Sequence, residues 1–188
     1  MDITYLDLFA GTGGFAKGFL EAGFRFKKHY FSEVDKHAIA NYHYNYPLAE
    51  YVGQVEEIRK GKIDKPSLIT FGSPCQDLST AGKRQGLRKG TRSSLFFEAL
   101  RIIDEFQPDY FVFENVKGLF SSQEGRDFKA VLQAFADLGV YDLQWQLVDT
   151  KWLLPQSRER VYVVGHHREK SAPQVFPINQ AYQKVAPK

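Results

Sequence analysis

Ile3-Thr4-Tyr5-Leu6-Asp7-Leu8-Phe9-Ala10-Gly11-Thr12-Gly13-Gly14 runs from an apolar, β-favouring segment straight into a glycine turn. Residues 3–9 predict a buried strand, and Phe15, Phe19 and Leu20 continue at helical spacing until Gly23. Strand, glycine turn and helix in this order open a doubly wound α/β sheet. The glycines let the backbone turn sharply and approach a ligand closely. Gly11 to Ala16 fits the dinucleotide fingerprint in its final-alanine form, a pattern that equally describes a tight turn holding nothing.

Outward from this turn, 188 residues with 43% hydrophobic and 25% charged composition suit one compact domain. A formal charge of +3 permits a nucleic-acid partner without requiring one. The single cysteine excludes an intrachain disulfide framework and a cysteine-based zinc site, and no metal is expected. With no signal peptide and no apolar run of spanning length, the expectation is a cytoplasmic protein without a membrane partner.

Glu33 follows the glycines by about twenty residues, where an acid at the tip of the second strand can accept bonds from ribose hydroxyls. The alternative is a polar turn before a helix over 36–44, with Ser32 or Asp35 as its cap. A short strand is expected near residues 51–52 and a surface helix and turn over 56–65. An apolar strand over 68–71 then leads into Gly72-Ser73-Pro74-Cys75-Gln76. Cys75 reads either as a small buried hydrophobe or as a nucleophile. The segment behind it carries Lys83, Arg84, Arg88, Lys89 and Arg92, which suits a polyanionic substrate, or else a solvated loop.

A helical apolar face from Leu95 to Phe106 ends before Pro108, and a strand over 110–113 runs into Glu114. A carboxylate at that strand end sits where open α/β sheets place chemistry, and partial burial would suit a proton donor. An amphipathic helix over 126–138 and strands over 143–148 and 161–164 follow, the last two forming a hairpin. Arg158 and Arg160 alternate, so both address one face. The proline-bearing stretch from residue 166 reads as a linker, giving a catalytic domain over 1–165 and a linker over 166–188.

With DLFAGTGGF, GSPCQ, ENV and QSRER present in this order, the chain resembles the cytosine-C5 DNA methyltransferases from residue 3 to residue 165. The resemblance implies a Rossmann-like doubly wound methyltransferase fold, mostly parallel with a C-terminal antiparallel strand. It implies S-adenosyl-L-methionine as cofactor, held by Phe9, Ala10, Gly11, Thr12, Gly13, Gly14, Glu33, Val34, Gln54, Val55, Pro74 and Leu95. Cys75 would be the nucleophile, Glu114 would bind the ring N3 edge, Arg158 the cytosine carbonyl, and Arg160 would position Glu114. Gln76, Ser79, Lys83, Arg84, Arg88, Lys89, Arg92 and Gln156 would contact double-stranded DNA, from which the base is flipped.

Two departures accompany the resemblance. Gly53-Gln54-Val55 stands where the family usually has Gly-Asp-Ile, so a glutamine carbonyl would replace the adenine-binding carboxylate. The target-recognition half of the family is missing. The expectation is therefore a truncated or split restriction-modification methyltransferase that needs a second polypeptide. Competing readings are a non-catalytic cofactor-binding subunit, a tRNA cytosine methyltransferase, and a nicotinamide-dependent oxidoreductase.

Overall fold

The computed structural model describes residues 2–72, 93–152, 154–170 and 173–178. Strands β1 (Asp2–Leu8), β2 (Arg25–Ser32), β3 (Glu50–Tyr51), β4 (Leu68–Phe71), β5 (Tyr110–Val116), β6 (Tyr141–Asp149) and β7 (Glu159–His167) form one sheet in the order β3-β2-β1-β4-β5-β7-β6. Pairs from β3 to β5 are parallel, and β7 is antiparallel to both β5 and β6. The chain winds outward from β1 to β3, then restarts at β4 on the other side of β1. That reversal is the switch point where open α/β sheets bind ligands. The fold is the expected doubly wound one, and the expected hairpin is β6–β7.

Alternation along the strands builds a core on each face. Tyr5, Phe31 and Leu68 pack with Ala16 of α1 (Gly14–Glu21) and Tyr42 of α2 (Lys36–Asn45). On the other face Leu6, Leu8, Ile69, Phe71, Phe111 and Phe113 pack with α3 (Ser93–Phe106) and with α5 (Arg126–Ala136), which follows the one-turn α4 (Gly118–Ser121). Phe135 of α5 lies against four rings at once, those of Phe71, Phe96, Phe111 and Phe113.

The expected helix within 56–65 is absent. Only a 3-10 turn forms, Val55–Glu57, because α3 takes this segment's backbone groups for itself. Arg101 donates to the carbonyls of Val55 and Ile58, while Glu105 accepts from the Lys60 amide. Strand β2 starts at Arg25, and its outer half carries Lys27 and Lys28 at a bulge where Ile3 pairs with Phe26 and Thr4 with Lys28. Strand β5 runs past Phe113 to Val116 because β7 pairs with it throughout, so Glu114 lies within the strand.

The sheet also continues beyond Gly165, through His166 and His167. Residues 173–178 follow β6, held by two glutamine side chains acting as surrogate backbone. Gln144 Oε1 accepts from the amides of Val175 and Phe176, and Gln146 bonds both the amide and the carbonyl of Ile178.

Two local features set how β7 enters the sheet. Gly165 faces Phe111 in the register, and a Cβ there would overlap the Phe111 ring. Asp149, the last residue of β6, organises the connection into β7. It accepts from the backbone amides of Lys151 and Arg158 and from the Ser157 hydroxyl, each at 3.0 Å, and Lys151 Nζ lies at 3.2 Å. The Lys151 amide bond, with the further donors from Lys151, Ser157 and Arg158, holds its carboxyl down at about 2.

Gly165→Ala is expected to cost about 1–3 kcal/mol through overpacking, lowering the melting temperature by about 3 °C or more. For Asp149 the folded-state value lies below the unfolded one. Its contribution is therefore present above about pH 4 and is lost as pH falls through about 2. Asp149→Asn should lower the melting temperature at pH 7, and the gap from the parent chain should close across that acid window.

Candidate active site

Register brings the predicted residues to one edge. Leu8 of β1 stands level with Ser32 of β2 and Phe71 of β4, and Phe71 with Phe113 of β5. The next residues along these strands are Phe9, Glu33, Gly72 and Glu114. Strand β7 runs the opposite way, so its start reaches the same edge, with Arg160 opposite Val116 and Tyr162 opposite Glu114. An antiparallel last strand thus delivers Arg158 and Arg160 to the ends of the parallel ones.

The glycine turn is shaped by positive φ at Phe9 (53°), Gly11 (54°) and Gly13 (88°). Gly13 is boxed in: a Cβ would strike the Tyr46 ring, and its carbonyl accepts from the Tyr46 hydroxyl at 2.8 Å. Gly11 and Gly14 have open space where a Cβ would stand. Thr12 is exposed and Ala10 is buried, with its amide bonded to the Ser32 carbonyl at 3.1 Å. Glu33 fastens the turn, one carboxylate oxygen accepting from Gly11 N at 2.8 Å and the other from Val34 N and Asp35 N at 2.7 and 3.0 Å. The cap of α2 is Asp35, which accepts from the amides of His37 and Ala38, while the Ser32 hydroxyl donates to the Gly53 carbonyl. Glu33 is thereby free of the capping role.

Val34 is an apolar side chain beside Glu33 that the described residues leave 70% exposed. Gln54 is exposed on the neighbouring turn. Val55 buries its side chain in the core, so it can address a ligand only through its backbone. Leu95, in the first turn of α3, is partly buried against the same core. Arg101 braces the Gln54–Val55 turn by donating to the Val55 carbonyl, a contact between segments some forty-six residues apart.

At the other end of the edge, Arg160 Nε lies 3.0 Å and Arg158 Nη2 3.8 Å from the same oxygen of Glu114. Arg160 and Glu114 are four-fifths covered, whereas Arg158 is half-exposed. A Cβ on Gly72 would lie 3.1 Å from the other Glu114 oxygen. Gly72, the root of the Gly72–Gln76 segment, therefore stands close beside the acid flanked by both arginines. Gln156 is exposed, and its carbonyl accepts from the Thr150 hydroxyl.

Sequence reasoning passed over Asp149, which sets the backbone at Arg158, and Tyr162, whose hydroxyl is pushed up by burial and then by the Glu114 charge. Asp149 had no signal beyond ending a strand. Tyr162 was findable, lying two residues beyond Arg160 on the same face. Pro74, Cys75, Gln76, Ser79, Lys83, Arg84, Arg88, Lys89 and Arg92 lie outside the described residues.

The chain matches the C-5 cytosine-specific DNA methylase family over residues 3–187. It is 38% identical over 163 residues to the orphan methyltransferase M.Rho11sI of Bacillus phage rho11s, covering 85% of this chain and 32% of that protein. It is 39% identical over 168 residues to the type II methyltransferase M.HpaII of Haemophilus parainfluenzae, covering 88% and 46%. A putative DNA modification methyltransferase encoded within an E. coli prophage superposes with a TM-score of 0.70 at 25% identity, over 89% of this chain and 47% of that one. The S. pombe Dnmt2 methyltransferase shares the fold, with a TM-score of 0.67 at 20% identity over 92% and 51%. The chain thus spans about a third to a half of the length of these relatives. With the family match covering nearly its whole length, the chain belongs to the C-5 cytosine-specific DNA methylases.

Proposed function

We propose that this chain is the catalytic and cofactor-binding portion of a DNA (cytosine-5-)-methyltransferase of restriction-modification type. The catalytic domain would run through the end of β7 at His167, and the residues after it would lead toward a target-recognition part on the same or a second polypeptide. The observation that carries this reading is the closeness of Gly72 to Glu114, whose carboxylate a Cβ on Gly72 would approach to 3.1 Å and which is itself paired to Arg160. Cys75 is three residues beyond Gly72 in the chain, and a thiol nucleophile beside an acid and a guanidinium pair is what the reaction requires.

The residues present suit S-adenosyl-L-methionine. Gly11 and Gly14 leave space over the turn, Glu33 offers carboxylate lone pairs to ribose hydroxyls, and exposed Val34 offers an apolar surface to adenine. Gln54 would accept from the adenine amine in place of the usual acid, and Pro74 and Leu95 would line the rest. When bound, this cofactor supplies an electrophilic methyl group.

On the substrate side, cytosine carbon 5 is a weak nucleophile. Addition of the Cys75 thiolate to carbon 6 forms a C–S bond and pushes the ring electron pair to carbon 5. Protonated Glu114 would favour that step by donating its proton to N3 while its other oxygen accepts from the exocyclic amine, and Arg158 by binding the carbonyl oxygen. After alkylation at carbon 5, loss of its proton to a base restores the double bond and expels the thiolate. Arg160 would hold Glu114 in place throughout. The base must leave the duplex for any of these contacts, and Lys83, Arg84, Arg88, Lys89 and Arg92 would hold the flanking phosphates.

DNA carrying 5-fluorocytosine tests the reaction, because its carbon 5 has no proton to lose and the adduct persists. With a polypeptide supplying the target-recognition part, the parent chain should form a denaturant-stable protein–DNA product, and Cys75→Ser should form none. Without that polypeptide, methyl transfer from labelled cofactor to DNA should be negligible. Robust transfer by the chain alone would refute the division of labour.

The cofactor seat is tested by calorimetry. S-adenosylhomocysteine should bind and NAD should not, the reverse being the oxidoreductase outcome. Glu33→Ala should weaken S-adenosylhomocysteine by about tenfold or more, since hydrogen bonds to a charged group are lost.

A further inference from the structure

One row beneath the site, on the face toward α1 and α2, lies a polar group of side chains that the chemistry above does not use. Asp7 and Thr70 stand opposite each other in β1 and β4, two residues before Phe9 and Gly72. Asp7 is 1% exposed and Thr70 fully buried. The Thr70 hydroxyl donates to Asp7 Oδ1 at 2.7 Å, and the Tyr42 hydroxyl, from α2, donates to Asp7 Oδ2 at 3.1 Å. Behind them the Tyr5 hydroxyl lies 2.6 Å from Thr70 Oγ1, and His29 Nε2 lies 2.8 Å from the Tyr42 oxygen. With a carboxylate at Asp7 both arms run one way: Tyr5 to Thr70 to Asp7, and His29 to Tyr42 to Asp7. A protonated Asp7 accepts from only one arm and must donate into the other.

The two arms end at different halves of the site. Thr70 is two residues from Gly72, the root of the segment that carries Cys75. The Tyr42 ring lies 3.0 Å from the place of a Cβ at Gly13 and packs on Tyr46, whose hydroxyl holds the Gly13 carbonyl. We propose that Asp7 is a positioning residue whose carboxylate couples the root of the cysteine segment to the glycine turn, so that its protonation state sets both together. The consequence for ligand binding rests on the reading of that turn as the cofactor seat.

The groups facing Asp7 support a titration in the physiological range. Burial pushes its carboxyl up to about 7; Thr70, Tyr42 and Tyr5 pull it down, and the Glu33 charge adds to the rise. Burial holds His29 down at about 4, and burial pushes Tyr5 and Tyr42 up, so these neighbours keep one charge state through the window. The signs for stability and positioning are opposite. A raised carboxyl contributes stability that is full below about pH 4 and is lost as pH rises through about 7. The arrangement in which both arms donate belongs to the carboxylate, on the alkaline side. A merely structural acid would not strengthen binding while destabilising the fold.

Amide NMR of Gly11, Gly13 and Gly72 in the full chain between pH 5 and 9 tests the coupling, with S-adenosylhomocysteine calorimetry alongside. The three amides should share one midpoint near 7, and affinity should rise about threefold or more from pH 6 to 8, because charge-assisted bonds replace neutral ones. Tyr42→Phe and Thr70→Val each remove a bond to the charged form, so each should move the midpoint upward at all three glycines. The decisive signal is the effect of Thr70→Val at Gly13 and of Tyr42→Phe at Gly72, across the network in both directions. Asp7→Asn should abolish the shared midpoint and flatten the affinity profile. Unrelated midpoints in the parent chain, or a shared midpoint surviving in Asp7→Asn, would overturn the proposal. If the parent chain binds no S-adenosylhomocysteine at any pH, the cofactor reading fails, while the glycine titrations still decide the coupling.

Discussion

The structure depends on the parallel pairing of β1 with β4, which sets Leu8 level with Phe71. These strands are some sixty residues apart in sequence, and each leads into a stretch of sequence that the proposed chemistry needs. A one-residue slip would reverse which side chains face each layer, exposing Phe71 or Leu8 to the wrong core and separating Asp7 from Thr70. The apolar burial on both faces therefore fixes the register, and the register fixes the spacing between the glycine turn and the Gly72 root. Polar contacts then refine a geometry that packing has already imposed.

Strand β7 solves a different problem. Parallel strands present only their ends at the ligand edge, and each further one needs a crossover connection. Reversing the last inserted strand lets its beginning arrive there instead, through a short connection from β6 knotted by Asp149. The tight fit of Gly165 on Phe111 keeps β7 close to β5 at the far end, while Arg160 and Glu114 draw the near end together. Packing at one end and charge at the other hold the same strand, which is why β5 remains regular through Glu114.

Most of this was legible in the sequence where a residue type has one plausible backbone use. The glycine turn, the apolar run over 68–71 and the alternating Arg158 and Arg160 each carried their placement with them. Asp35, too, was recognisable as a cap. What escaped notice depends on contacts between distant segments. The residues after Val55 look helical until Arg101 and Glu105, on α3, take up their backbone groups. Lys27 and Lys28 hide the start of β2 because a bulge and an open face tolerate them. Asp7 reads as one more polar residue in an apolar strand, and only the fold brings Thr70 and Tyr42 to it.

The two acids at the ligand edge are held by different means, and the difference bears on their proposed roles. Glu33 is tied to backbone amides of its own turn and of Gly11, so it moves with the glycine turn and presents its remaining lone pairs from a fixed place. Glu114 is tied to side chains, and unequally. Arg160 is close and largely covered, whereas Arg158 is at 3.8 Å and half-exposed, where an ion pair has modest strength. In the proposed reaction a substrate oxygen would therefore draw Arg158 away at small cost while Arg160 would keep the acid in position. That inequality, rather than the presence of two arginines, is what would let one guanidinium serve the base and the other serve Glu114.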